Sequence, residues 1–314
     1  MKASEPEELR AGAGYGRRAD LKYALHLLRR NPIVLAGVTI SVASVLLALL
    51  SPLIVNPTSW NQQPLNLRLC WNNPLINWQI ANVFNCGGSV AVYPLGTDSY
   101  GRSLLQMIIL AIPVDLEVAF EVVASAVVLG VFFGGLAGYK GGIVDEVILR
   151  VTDVFLAIPG ILLAIVLIVV LGRSLPTLTI AVLITWWPYY VRLMRSQVLS
   201  EKEKPYVERL RAMGAGGIRI LYGHIVQNSI YPVLVQATLD IGSVILTVSA
   251  LTFIGLTPSP LLPELGNLSN QGIQYIFTAP WLILFPGLTI LIISLGFNLL
   301  GDGIRDVFDP RLRR

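Results

Sequence analysis

Long apolar runs recur along nearly the whole chain, and they constrain its fold more than any other feature. Crossing about 30 Å of hydrocarbon takes about 20 helical residues, and a backbone in lipid must satisfy its own hydrogen bonds. Charged residues are only 13% of the 314, whereas a soluble domain carries about 25%. The sequence therefore predicts an all-α integral membrane protein with six transmembrane helices, at approximately residues 33–55, 114–139, 154–171, 178–194, 230–256 and 280–300.

The distribution of Lys and Arg predicts the orientation of these helices. Of the 23 such residues, 20 fall in the terminal segments, in the segments that follow the second and fourth predicted spans, or, for Arg192, at the edge of the latter; only Arg68, Arg102 and Arg173 lie elsewhere. Cytoplasmic segments of membrane proteins carry this kind of excess. We therefore expect both termini in the cytoplasm, and the net charge of +4 does not indicate nucleic-acid binding. The long, charged segment before the first span favours a retained membrane anchor over a cleaved signal peptide.

The predicted spans divide the chain into five parts. These are a cytoplasmic N-terminal segment (1–32), the first transmembrane helix (33–55), an external segment (56–113), a five-helix core (114–300) and a cytoplasmic tail (301–314). The external segment holds the only cysteines, Cys70 and Cys86. An oxidising exterior permits a disulfide between them, and two free thiols are the alternative. Asn267 opens a glycosylation-type sequon on the same predicted side, which is a weak signal.

A short charged segment, KPYVERLRAMGAGG at 204–217, lies between two apolar runs. Pro205 suits the first position of a helix, and Gly214 suits the position just past its end, where the left-handed conformation favours glycine. The apolar residues between them recur with helical spacing and form one stripe: Tyr206, Leu210 and Met213. A helix of about nine residues is too short to be stable alone in water. We therefore expect this helix to bury its apolar side against a partner.

Residue patterns typical of enzymes are scarce. The sequence has no HExxH, CxxC or GxSxG motif and no phosphate-binding GxxxxGK[ST] loop. Its two histidines, His26 and His224, lie far apart in the chain. We therefore expect no catalytic residue, no metal site and no cofactor here, and any ATP that drives the protein should bind to another chain.

Glycines recur every four residues along the end of the second predicted span: Gly130, Gly134, Gly138 and Gly142. Small residues at this spacing let membrane helices approach closely. We favour packing within the bundle, and a subunit interface is the alternative.

Four acidic residues lie within or beside predicted spans: Asp115, Glu117, Glu121 and Asp240. Charges in a membrane are costly, so such residues are candidates for function by default. They are candidates for lining an external vestibule or a translocation path. Alternatively, the first three lie in water at the outer interface because the second span begins later.

Several stretches resemble inner-membrane permease subunits of the dipeptide/oligopeptide/nickel class of ABC importers. YPLGTDSYGRSLL at 93–105, WWPYYVRLMRSQVLS at 186–200, and APWLILFPGLTI with FNLLGDGIRDVFDPRLR at the end of the chain are similar to that family's patterns and occur in the same order. The resemblance runs from the first span to the C-terminus and leaves out most of the external segment.

The loop at about 200–228 is similar to the family's EAA loop, whose pattern is YVEAARALGAS…HILPN. The matching residues are Tyr206, Val207, Glu208, Ala212, Gly214, Ala215, His224, Ile225 and Asn228. Arg209 and Leu210 depart from the usual alanines, and Gln227 departs from the usual proline. In the family this loop forms a coupling helix that docks on a cytoplasmic ATPase. The resemblance thus implies an ATPase-coupling role for Tyr206, Val207, Glu208, Leu210, Met213, Gly214 and Ala215.

The resemblance also implies the other partners and the mechanism. A second homologous permease would complete a heterodimer in the lipid bilayer, two cytoplasmic ABC ATPases would drive alternating access, and an external binding protein would deliver substrate. Peptides are the expected substrate, with oligosaccharides or nickel as alternatives. The competing hypotheses are an ion-coupled secondary transporter, which should show inverted repeats and several mid-membrane acids, and a purely structural membrane protein, which would not explain a capped helix in a cytoplasmic loop.

Overall fold

The computed structural model describes residues 31–55, 94–98 and 102–308. Cys70, Cys86 and His26 lie outside these ranges, so the disulfide stays a prediction. The described residues are helical apart from loops and one isolated antiparallel bridge between Thr97 and Ser103.

Ten α-helices follow one another in the described ranges. They are α1 (Pro32–Ile54), α2 (Leu104–Lys140), α3 (Gly142–Leu156), α4 (Gly160–Leu171), α5 (Leu175–Glu201), α6 (Pro205–Ala212), α7 (Gly217–Ile220), α8 (Val226–Phe253), α9 (Leu265–Gly272) and α10 (Trp281–Phe308). A π-helical turn, Leu221–Ile225, joins α7 to α8, and a 3₁₀ turn, Ile273–Tyr275, follows α9.

Four of these helical stretches are long and apolar enough to cross a membrane: α1, α2, the continuous stretch Gly217–Phe253 and α10. The third predicted span is interrupted. Helices α3 and α4 meet at an angle of 83°, and together they would make a fifth, broken span. Pro159 lies at this break, where its ring and missing N–H oppose a continuous helix. The fourth predicted span, 178–194, corresponds to α5, which is 27 residues long but less apolar, so the six-span topology stays a prediction.

The second span begins earlier than we predicted. Helix α2 starts at Leu104 and runs through Pro113 for 37 residues, whereas the apolar pattern suggested a start near Val114. A helix of this length exceeds the roughly 20 residues needed to cross the hydrocarbon, so the position of the acids relative to the membrane interface stays a prediction. Asp115, Glu117 and Glu121 all lie inside α2.

Helix α2 packs closely along α5, and its glycines make this approach possible. A side chain at Gly130 would overlap Tyr190, one at Gly134 would overlap the backbone of Val191, and a Cβ at Gly138 would lie 2.9 Å from the carbonyl oxygen of Arg195. Packing within the bundle is thus confirmed for these three glycines.

The fourth glycine of the repeat behaves differently. Gly142 has a φ of +56° and meets nothing within 4 Å, so the packing interpretation was wrong for it. It lies just past the end of α2, where the chain turns into α3. Its role is in the backbone conformation of that turn.

Two hydrophobic cores lie along the bundle. The larger one joins α2, α5, α8, α9 and α10, and Leu104, Val122, Leu178, Val244 and Trp281 are among its buried side chains. The smaller one forms where α6 and the π-helical turn meet α2, α5 and α8, and it includes Met194, Val198, Val207, Leu221 and Ile225. The short helix α6 is therefore part of the bundle's own packing.

Candidate functional site

Helix α6 is closed at both ends by its own sequence. Pro205 occupies its first position. Past its other end, the N–H of Ala215 donates to the carbonyl of Leu210 over 3.1 Å, and the N–H of Gly214 donates to Arg211 over 2.9 Å. This pair of bonds is a Schellman motif, which requires a left-handed residue, and Gly214 has a φ of +78°. The predicted helix and its glycine cap are confirmed.

The apolar stripe predicted for α6 is only partly correct. Val207 is completely buried in the smaller core, and Tyr206 and Leu210 pack half-buried against it. Met213 faces outward with 73% of its surface exposed, and so does Ile218 at 70%. The stripe is therefore divided: the chain itself covers Val207 and Leu210, while Met213 and Ile218 have no cover within the described residues. Sequence reasoning placed Val207 only by resemblance and missed Ile218.

Polar bonds fasten α6 to the ends of α5 and α8. The Tyr206 hydroxyl donates to Oε1 of Glu201 over 3.0 Å and accepts from Nδ2 of Asn228 over 3.3 Å. Lys204 Nζ lies 2.5 Å from the second oxygen of Glu201. Burial raises the pKa of the Tyr206 phenol, so it remains a hydrogen-bond donor.

The same loop is also attached to the end of α2. Lys202 Nζ donates to the carbonyl of Gly138 over 2.9 Å, and the Arg211 guanidinium lies 5.9 Å above the Tyr139 ring. A guanidinium at this distance is attracted by the ring's quadrupole. Through these contacts three long helices, α2, α5 and α8, converge on one eight-residue helix.

The outward surface of this loop is charged around an apolar centre. Glu208, Arg209 and Arg211 are exposed beside Met213, and His224 is exposed in the π-helical turn. A short helix that keeps an apolar residue in water beside both signs of charge presents a surface suited to another protein's cleft. We call Glu208, Arg209, Arg211, Met213 and Ile218 the loop surface.

At the opposite end of α2, two buried carboxyl groups lie together. Asp115 is 2% exposed, and its Oδ2 accepts from the N–H of Leu265 over 3.1 Å. Glu264 caps α9, where its two oxygens accept from the N–H groups of Gly266 and Asn267 over 2.9 and 2.7 Å. Burial raises the pKa of Glu264. Asp115 thus lies in the packed interior, while Glu117 and Glu121 are exposed on α2.

Two further features at this end depart from the sequence analysis. Asn267 is 1% exposed, and its amide donates to the carbonyls of Ser259, Pro260 and Leu262, so it does not serve as an accessible sequon. Within the YPLGTDSYGRSLL stretch, Asp98 pairs with Arg102 over 2.6 Å with both side chains buried. The charge pattern D-x-x-x-R could have indicated this pair.

Asp240, the fourth acid, lies beside a cavity of about 640 Å³ between α5, α8 and the α3–α4 break. Its Oδ2 accepts from the Tyr190 hydroxyl over 2.7 Å and its Oδ1 from Nε2 of Gln236 over 2.9 Å.

The long apolar helices that converge on a short capped helix define a membrane-embedded helical bundle. Residues 130–314 match the family of binding-protein-dependent transport system inner membrane components. The chain belongs to this family and is a multi-pass membrane protein.

Similar proteins agree with this assignment. The dipeptide transport system permease protein DppC of Alkalihalophilus pseudofirmus is 36% identical over 92% of this chain and 90% of that protein. The oligopeptide transport system permease protein OppC of Bacillus subtilis is 30% identical over 93% and 90%. A chain of the inward-facing MetNI methionine ABC transporter has the same fold, with a TM-score of 0.51 and 19% identity over 66% of this chain and 98% of that one.

Proposed function

We propose that this chain is a permease subunit of an ABC importer and forms half of the path along which peptides cross the membrane. Its partners are a second homologous permease, two cytoplasmic ATPases that hydrolyse the ATP, and an external binding protein. The observation that carries the proposal is the loop surface on α6, whose helix is bonded to the ends of α2, α5 and α8.

The coupling role follows from how α6 is held. Val207 in the smaller core and Tyr206 between Glu201 and Asn228 prevent α6 from moving independently of the long helices. A displacement of the loop surface therefore moves α2, α5 and α8 together. Rigid-body motion of this kind is an established route for transmitting a conformational change. We assign docking to the exposed Glu208, Met213 and Gly214, and attachment to Tyr206, Val207, Leu210 and Ala215.

Peptides are favoured as the substrate over oligosaccharides and nickel because the relatives above are named for dipeptides and oligopeptides. Of the four predicted acids, we propose Glu117, Glu121 and Asp240 for the translocation path. Asp115 holds α9 through the N–H of Leu265 and is better placed for a structural role.

Cysteine crosslinking tests the proposed contact. In a chain with Cys70 and Cys86 changed to Ser, Met213→Cys should crosslink to a co-expressed ATPase. Phe277→Cys provides the matched control, because Phe277 is 98% exposed but lies in the loop after α9, away from α6. Crosslinking of Phe277→Cys and none of Met213→Cys would contradict the proposal.

A further inference from the structure

The cavity beside Asp240 has a polar wall built on one helix. Gln236, Asp240, Ser243 and Thr247 follow each other at spacings of four, three and four residues on α8, so they share one face. All four line the cavity. A polar face on a helix that otherwise packs among apolar neighbours indicates contact with a polar occupant.

The opposite wall is aromatic. Trp186, Tyr189 and Tyr190 contribute to it from α5, and Phe155 contributes from the end of α3. The 83° break between α3 and α4 also borders the cavity, since Ile158 and Gly160 line it. Aromatic faces attract cations as well as apolar groups. The lining therefore combines one acid, several hydroxyls and an aromatic surface.

Two uncharged hydrogen-bond donors hold the Asp240 carboxyl group in place, and neither supplies a positive charge. The Tyr190 hydroxyl and the Gln236 amide each donate to one of its oxygens, and both donors are uncharged. An ionised carboxylate has about four acceptor positions, so two remain. Within the described ranges no Lys or Arg forms an ion pair with Asp240. A carboxylate this far inside a membrane helix is costly unless a cation joins it.

We propose that this cavity binds the protonated amino terminus of a peptide in transit, with Asp240 as the acceptor and the α5 aromatic side chains around the ammonium group. This inference rests on the proposed function and adds the chemical group that the path recognises. An ammonium group carries three donors, which suits the two free acceptor positions of Asp240 and the neighbouring Ser243 hydroxyl. Cavities of roughly 300–1,000 Å³ are typical for small ligands, and this one is about 640 Å³.

Binding here should be weak, because a transport site must release what it binds. The test uses the assembled permease–ATPase complex without the binding protein, so that the binding protein's own preference does not enter. Equilibrium binding of alanyl-alanine is compared with that of N-acetyl-alanyl-alanine, which lacks the positive charge. We expect the wild type to bind alanyl-alanine at least about tenfold more tightly, as one charge-assisted bond allows.

Asp240→Asn should remove this preference by weakening alanyl-alanine alone, whereas Asp302→Asn, at an exposed acid outside the cavity, should retain it. Equal binding of the two peptides by the wild type would overturn the inference whether or not the variant folds. Equal loss of binding of both peptides in Asp240→Asn would also overturn the inference, since Asp240 would then have a structural role. Loss of pairing with the second permease would overturn it too, since Asp240 would then contact a cation of that subunit.

A separate measurement distinguishes failure of this inference from failure of the proposed function. ATP hydrolysis by the wild-type complex is measured with and without peptide-loaded binding protein. Stimulated hydrolysis together with equal binding of the two peptides would support the importer function and contradict only the proposed amino-terminus site. No stimulation would contradict the importer itself.

Discussion

Two short helices lie at opposite ends of α2, and they are held in contrasting ways. Helix α9 is almost wholly buried. Its N-cap, Glu264, accepts hydrogen bonds from backbone N–H groups in the first turn of the helix and lies next to Asp115. Helix α6 buries Val207 on one side and leaves Met213 in water on the other. The buried helix completes the fold of this chain, whereas we propose that the half-exposed one is covered by another protein.

The contrast predicts that substitutions in α9 damage folding and that substitutions on the outward side of α6 damage coupling. Each helix depends on one glycine, Gly266 within α9 and Gly214 just past the end of α6, for different reasons. Gly266 is required by space, since a Cβ would overlap Ser249 and Thr252. Gly214 is required by backbone conformation, since a Cβ there meets nothing within 4 Å.

The largest effect is expected at Gly266. Gly266→Val should lower the free energy of unfolding by about 3 kcal/mol or more, because a side chain forced against the backbone of Ser249 must separate α9 from α8. Thermal unfolding of the purified complex measures this. Gly216→Ala is the control, since Gly216 has open space around it and no positive φ. Equal stability of Gly266→Val and wild type would show that α9 is not tightly packed.

A smaller effect is expected at Gly214. Gly214→Val should cost about 1–2 kcal/mol, because a β-branched residue is strained in the left-handed region. The strain should fray the end of α6 and reduce substrate-stimulated ATP hydrolysis while the complex still assembles. Gly214→Asn should restore much of the activity, because asparagine tolerates this conformation. If Val and Asn behaved alike, backbone strain would not be the cause.

The smallest effect concerns pH at the α9 end. Since burial raises the pKa of Glu264, the folded state favours its protonated form more than the unfolded state does. The stabilisation that the protonated Glu264 gives the folded state is fully present at low pH. It is lost as the pH rises from the ordinary glutamate pKa through the raised pKa of the folded state. Glu264→Gln should therefore flatten the fall in unfolding temperature with rising pH. Glu208→Gln, on the exposed side of α6, should leave the wild-type profile unchanged; a profile unaltered by Glu264→Gln would contradict this assignment.

Local signals in the sequence predicted α6 well. Proline at its start and glycine past its end act on their own backbone, so no distant residue was needed to place them. The division of its apolar stripe was not predictable, because it depends on where α5 and α8 end. Leu210→Glu would therefore disturb the chain's own core as well as docking, so this substitution does not isolate coupling.

Contacts between distant segments could not be predicted from the sequence either, because they depend on how the long helices pack. Asp115 and Leu265 are 150 residues apart, and neither residue's neighbours indicate the other. Residues 154–171 were predicted as one span, because the apolar run around Pro159 does not by itself indicate an 83° break between two helices. The three packed glycines of α2 were predictable because their spacing lies within one helix.

Substrate-stimulated ATP hydrolysis by the reconstituted complex, compared between Met213→Glu and Met213→Leu, tests the central claim most directly. Met213 is exposed and outside the chain's own core, so both variants should assemble and unfold like the wild type. Burying an unpaired charge in the ATPase cleft costs several kcal/mol, so Met213→Glu should lose nearly all stimulated hydrolysis while Met213→Leu keeps it. Equal stimulated hydrolysis in the two variants would contradict the claim that α6 transmits ATPase movement to the long helices.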